Sequence, residues 1–186
     1  MAKKHGLYLH IDGARISNAV HFLNTTFKAM VTDTGVDIVS FGGTKNGFAF
    51  GEAVVILNKD LKKDFKFMRK QAAQLPSKSR FIAQQFSAYL QNETYLKIAA
   101  HSMAMAELLF QELKKVCEST DLVKITQPRQ SNAVFVILPK KMIRPLRETF
   151  FFYVWDEHTT ECRLMTSWDT KPEEVHELIL QLKALI

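Results

Sequence analysis

The spacing of apolar and polar positions gives the chain two textures, and they predict different elements. In the first part, short apolar runs alternate with turn residues. Residues 7–11 form one such run and stop at Asp12-Gly13, the pattern of a buried strand followed by a turn. Residues 14–23 then carry apolar side chains at roughly helical spacing. Residues 36–40 read as a second strand, which runs into the glycine-rich stretch Phe41-Gly42-Gly43-Thr44-Lys45-Asn46-Gly47, and residues 53–57 read as a third. Three short apolar strands separated by helix or loop predict a mostly parallel sheet.

From Lys59 the runs lengthen. Residues 59–73 are charged and amphipathic, with Phe65, Phe67 and Met68 in the apolar positions, until Leu75-Pro76-Ser77 breaks the pattern. Residues 79–90 and 93–116 predict long helices rich in Ala, Met, Leu and Phe. His101 reads as a core or interface residue of the second of these, and Met103, Met105 and Phe110 as its packing positions. After Asp121, strands are expected at residues 122–125 and 133–138, a short helix at 143–149, and paired strands at 150–155 and 162–165 around a polar loop. Asp169 or Thr170 is the expected N-cap of a last helix that has Pro172 in its first turn. Trp168 reads as small-domain core, and His10, between Leu9 and Ile11, as a packed structural histidine. There is no internal repeat and no low-complexity segment. Three strands alone make a poor parallel sheet, since such sheets are normally covered by helices on both faces. Further strands are expected from elsewhere.

Composition narrows the class without naming a function. The chain has 186 residues, 47% hydrophobic and 24% charged, an ordinary balance for a soluble globular protein with a buried core. The formal charge is +6, but the basic residues are dispersed apart from Lys3-Lys4, Lys62-Lys63 and Lys140-Lys141. No stripe of Arg and Lys interleaved with aromatics is present, so nucleic acid is not an expected partner. Cys117 and Cys162 have neither metal-ligand nor redox spacing, and two reduced thiols in a cytoplasm are expected. No metal site is expected. No secretory h-region and no apolar stretch of membrane-spanning length are found.

Two residues suggest chemistry. Lys45 follows a buried strand and sits among glycines that let backbone approach a bulky group. A lysine desolvated there can lose its proton and attack a carbonyl to form a Schiff base, although alone it reads as a surface-turn lysine. Asp12 ends a strand expected to lie beside the Ser40 strand, and ligands of parallel sheets bind at such strand ends. A strand-end carboxylate followed by a strand-end lysine has the order required by pyridoxal phosphate, whose ring nitrogen needs a carboxylate. Alone, Asp12 reads equally well as a helix N-cap.

The longer strings carry a resemblance. Leu9-His10-Ile11-Asp12-Gly13-Ala14-Arg15 and Ser40-Phe41-Gly42-Gly43-Thr44-Lys45-Asn46-Gly47 resemble the threonine aldolase and beta-eliminating lyase family of fold-type I pyridoxal-phosphate enzymes. Ser77-Lys78-Ser79-Arg80-Phe81, Ala100-His101-Ser102-Met103-Ala104, Ser131-Asn132-Ala133-Val134-Phe135 and Arg163-Leu164-Met165-Thr166-Ser167-Trp168-Asp169-Thr170 agree in order. The resemblance covers essentially the whole chain and only the C-terminal half of a family member. It implies an α/β chain of the aspartate-aminotransferase type: residues 1–58 as the C-terminal part of the large cofactor domain, 59–77 as a bridging helix, and 78–186 as a small α+β domain.

The resemblance also implies roles. Lys45 would carry the cofactor covalently and Asp12 would hold its ring nitrogen. Arg15 would face the cofactor and the substrate carboxylate, with Arg163 as a second carboxylate-binding arginine, while Arg80 would help bind the cofactor phosphate, where a surface ion pair is the alternative for Arg80 and Arg163. The implied reaction is cleavage of threonine or allo-threonine to glycine and an aldehyde. β-Elimination on another amino acid, or a non-catalytic chain that binds a partner, are its rivals. The phosphate cup, the group stacked on the ring and the catalytic base are expected from a segment that precedes the Asp12 strand in family members. The expected partners are an amino-acid substrate and either further copies of the chain or a complementing N-terminal half.

Overall fold

Extended pairing begins at β1 (His10–Gly13), which runs parallel to β2 (Ile38–Gly42) and sets Asp12 opposite Ser40. β2 pairs on its other side with β3 (Glu52–Ile56), in the antiparallel sense. The expected mostly parallel sheet is thus corrected to one parallel and one antiparallel pairing. The reason is the connection: residues 43–51 are too few for the crossover of about a dozen residues that a parallel return needs.

The computed structural model describes residues 1–186 and divides into two compact units, Met1–Ala99 and Ala100–Ile186. The division falls inside the long helix α4 (Thr94–Ser119), whereas the change in sequence texture comes at Lys59.

In the first unit the sheet alternates its side chains. Ile11 and Phe41 pack against the buried cluster Ile16, Val20, Val31, Val36 and Val39. Burying a side chain such as Val39 stabilises the fold by roughly 1.5–3 kcal/mol. His10, Asp12 and Ser40 face the other way. His10 is exposed and its Nε2 lies 2.9 Å from Ser40 Oγ, so it is not the packed histidine that its neighbours suggested. Helix α1 (Ile16–Phe22) opens directly after Arg15 and buries Ile16 and Val20. The amphipathic stretch after β3 forms a 3-10 turn (Lys59–Lys62) and a short helix α2 (Phe65–Gln71), on which Phe67 and Met68 stay exposed. Helix α3 (Arg80–Leu90) is pinned to α1 by Tyr89, whose hydroxyl is 2.6 Å from Ser17 Oγ. Burial pushes the Tyr89 phenol up to about 12, so it stays protonated.

The second unit is an antiparallel sheet covered by helices. Its strands are β4 (Lys124–Ile125), β5 (Ala133–Ile137), β6 (Tyr153–Asp156) and β7 (Glu161–Met165), in the order β4-β5-β7-β6. Helix α5 (Lys140–Thr149) follows β5, and α6 (Pro172–Ala184) ends the chain. The core joins Leu109, Leu113 and Val116 of α4 to Val134, Val136, Cys162 and Leu164 of the sheet and to Val175, Ile179 and Leu182 of α6. The N-cap of the last helix is Lys171 rather than Asp169 or Thr170, and the Glu174 carboxylate accepts from the Lys171 N–H at 2.8 Å. Trp168 is 43% exposed and so is not core. His101 is also exposed, with Nε2 2.8 Å from the Thr170 carbonyl. No helix is long and apolar enough to cross a membrane.

Candidate active site

Parallel pairing of β1 and β2 brings the two strand ends named by the sequence to the same end of the sheet. Asp12 lies at the end of β1. Its carboxylate accepts the Ala14 N–H at 3.1 Å through Oδ1 and is otherwise directed to solvent. Lys45 lies just past β2, in the 3-10 turn Thr44–Asn46, and is exposed. The ion pairs of the chain, Lys28–Asp33, Lys115–Glu112 and Arg129–Glu107, leave it out.

The turn that presents Lys45 is held from two sides. Glu52, at the start of β3, accepts the Gly43 N–H at 3.0 Å and the Thr44 N–H at 3.3 Å. Asn46 is 3% exposed, and its amide donates to Ala14 O at 3.1 Å and Gly42 O at 3.0 Å. A side chain at Gly42 would meet the Ala14 carbonyl oxygen at 2.2 Å, so only glycine allows the end of β2 to approach that loop. Gly47 closes the turn at φ 95°, in the left-handed region. Sequence reading missed both Asn46 and Glu52. The only available signal was a polar residue inside the lysine string, and burial of its amide is a tertiary fact.

Arg15 sits where β1 turns into α1, in the same loop as Asp12. Arg80 is the first residue of α3, with its guanidinium 5.3 Å from the Phe81 ring centroid. That helix is tied to the loop after the lysine turn, since Gln85 accepts from Ala49 N–H at 2.9 Å and donates to Phe50 O at 3.4 Å. Asp12, Arg15, Lys45 and Arg80 therefore belong to the first unit.

Arg163 belongs to the second unit. It lies on β7 opposite Phe135 of β5 and Tyr153 of β6. Its guanidinium stands 4.6 Å from the Trp155 ring centroid and 5.5 Å from that of Tyr153. Such aromatic contacts stabilise a cation by about 0.5–2 kcal/mol without neutralising it. Its Nε is buried and has no hydrogen-bond partner. A buried donor left unpaired costs about 1–3 kcal/mol.

The beta-eliminating lyase family model matches residues 1–140. The chain belongs to the beta-eliminating lyase family. Its relatives include the low specificity L-threonine aldolase of Pseudomonas aeruginosa, 39% identical over 184 residues, which cover 99% of this chain and 52% of that protein. A low specificity L-threonine aldolase of a further Pseudomonas strain is 36% identical over the same shares. Among solved structures, the Leishmania major threonine aldolase superposes with a TM-score of 0.83 at 33% identity, covering 99% of this chain and 53% of that one. The expected fold-type I architecture is borne out by this match. The chain spans about half the length of these beta-eliminating lyase relatives.

Proposed function

We propose that this chain supplies the C-terminal half of a pyridoxal-phosphate-dependent carbon–carbon lyase site acting on threonine or allo-threonine and releasing glycine and acetaldehyde. The observation that carries the reading is the register of β1 on β2. It holds a carboxylate and an unpaired amine at adjacent parallel strand ends, with no ion pair to satisfy either. The residues present fit the cofactor: an amine for its carbonyl, a carboxylate for its ring nitrogen, and glycines where backbone must approach closely. When bound, the cofactor supplies an electron sink for the carbanion left by bond cleavage.

The chain's own residues then have separate tasks. Lys45 would hold the cofactor through Nζ. Asp12 keeps the ring nitrogen protonated through the oxygen that Ala14 does not occupy. Arg15 is assigned to the cofactor and the substrate carboxylate, and Arg163, which stands against Trp155 and Tyr153, is assigned in its own unit as a carboxylate-binding arginine. Arg80 contributes positive charge toward the cofactor phosphate. Residues 1–58 serve as the cofactor-binding part, 59–77 as the bridge and 78–186 as the small domain. Further copies of the chain or a complementing N-terminal half would complete the site. A cytoplasmic location accords with the two free thiols, Cys117 and Cys162.

The test uses pyridoxal phosphate and borohydride with the purified chain and with Lys45→Ala. An absorbance band that is lost on reduction, a label on Lys45, and neither in the variant are the expected results. Threonine cleavage is then measured with and without a co-expressed N-terminal half from the Pseudomonas aeruginosa relative. No label on Lys45 under either condition sinks the reading.

A further inference from the structure

We propose that Asn46 is the positioning residue that couples the Asp12 loop to the Lys45 turn, an inference that rests on the reading of these two residues as the cofactor pair. The link can be followed atom by atom. Asp12 Oδ1 accepts from the Ala14 N–H, Ala14 O accepts from Asn46 Nδ2, and Asn46 is the chain neighbour of Lys45. The same Nδ2 donates to Gly42 O, at the end of the strand that leads into the turn. One buried amide therefore spans 32 positions of sequence and ties three backbone segments together.

Two further observations make this more than local satisfaction of a buried polar group. The contact that Asn46 bridges is sterically exclusive, since a Cβ on Gly42 would fall within 2.6 Å of the Ala14 Cα, carbonyl carbon and oxygen. The two strand ends approach this closely because position 42 carries no side chain, and Asn46 hydrogen-bonds across the contact. Moreover, neither Asp12 nor Lys45 is fixed by burial, because both are exposed. Their relative placement rests on backbone, and the Asn46 side chain, itself part of the lysine turn, hydrogen-bonds across to the Asp12 loop. Glu52 steadies the lysine turn against β3 and makes no bond to the Asp12 loop. Asn46 touches no reacting atom in this scheme. It acts through Ala14 and Lys45, and a displacement of about 1 Å between two site groups is enough to lower a rate about 100-fold.

The experiment has a readout that needs no cofactor. Amide exchange of the full chain is compared between the parent and Asn46→Ala, following Ala14-Arg15 and Thr44-Lys45 together, with β5 and β7 as an internal reference. Both segments should exchange about tenfold faster in the variant while the reference strands stay unchanged. In parallel, borohydride trapping of pyridoxal phosphate should show the share of label on Lys45, relative to Lys59 and Lys62, falling about tenfold. If Asn46→Ala does not fold, Asn46→Asp replaces it. As a carboxylate that side chain opposes two carbonyl oxygens, and once protonated it donates to one of them. Its exchange relative to the parent should therefore recover as pH falls. Protection unchanged in either segment, an undiminished Lys45 label, or no pH-dependent recovery in Asn46→Asp overturns the proposal. Absence of Lys45 labelling in the parent counts against the cofactor reading alone, and the exchange result then decides the role of Asn46.

Discussion

The two units of this chain divide stability and chemistry unequally. The second unit has sixteen buried residues in one continuous apolar cluster, among them Leu113, Leu138, Met142, Leu146 and Leu182. The corresponding cluster of the first unit has five. Its sheet has three strands, so β1 and β3 both present an open edge, and Leu7, Tyr8, Val54 and Val55 are exposed beside them. Open edges and exposed apolar positions favour association with further chain. Yet four of the five proposed site residues lie in this sparser unit. Its local order comes from short hydrogen-bonded links and glycine contacts rather than from a large core.

That contrast can be broken experimentally. Leu113→Ala, at a fully buried position, should cost the second unit about 2–5 kcal/mol. Urea titration followed by amide exchange should show the loss there, with the strands of the first unit unaffected. Equal loss in both units would mean that they fold as one.

Gly42→Ala attacks the other unit. Its Cβ would sit 2.2 Å from the Ala14 carbonyl oxygen, and backbone must shift to admit it. We expect a loss of about 1–3 kcal/mol, read as faster exchange of β1 and β2. Unchanged exchange would show that the strand ends have room to spare.

Acid should act on the first unit through Asp37. Hydrogen bonds from Leu9 N–H, at 2.8 Å, and Asn58 Nδ2, at 2.7 Å, hold its carboxyl below the ordinary value of 3.8. The folded pKa is the lower one, so the contribution to stability is present above 3.8 and lost as pH falls through the folded value. Asp37→Asn should flatten the acid limb of an unfolding curve. An acid limb identical to the parent's would remove Asp37 from the account.

Lys45→Ala should separate chemistry from stability. The residue is exposed and outside every ion pair, so its loss should change stability by no more than about 0.5 kcal/mol while removing the preferential capture of pyridoxal phosphate at position 45. A large drop in melting temperature would reveal a structural role. The smallest effect concerns the thiols. Burial pushes the Cys162 thiol up to about 11, whereas Cys117 is partly exposed. A thiol reagent at neutral pH should modify Cys117 alone in the folded chain, as peptide mass would report.

Much of the fold was readable because it rests on local pattern. The helical periodicity of residues 79–90 and 93–116 matches α3 and α4 closely, and the strand pair around the polar loop is β6 and β7. The parallel neighbours β1 and β2 followed from two apolar runs separated by a helical segment. Errors came where neighbours in sequence are poor witnesses to burial. His10 lies between two apolar residues, but strand alternation turns it to the opposite face with Asp12. Trp168 lies between Ser167 and Asp169 in the last family string and is exposed. Phe67 and Met68 supply an amphipathic pattern, while the helix that carries them is only seven residues long and leaves them in solvent.

The sequence by itself determined the chemical inventory and the family strings: an Asp-Gly-Ala-Arg strand end, a glycine-flanked lysine, and an arginine three residues before Thr166. These are local facts, expressed by residue type and order. Only the tertiary structure decided that β3 returns antiparallel, that Asn46 lies buried between two strand ends, and that Arg163 stands unpaired against Trp155 and Tyr153. The physical reason is that each of these depends on which groups are left facing one another when distant segments pack. A buried amide or an unpaired guanidinium is defined by its surroundings and not by its place in the chain.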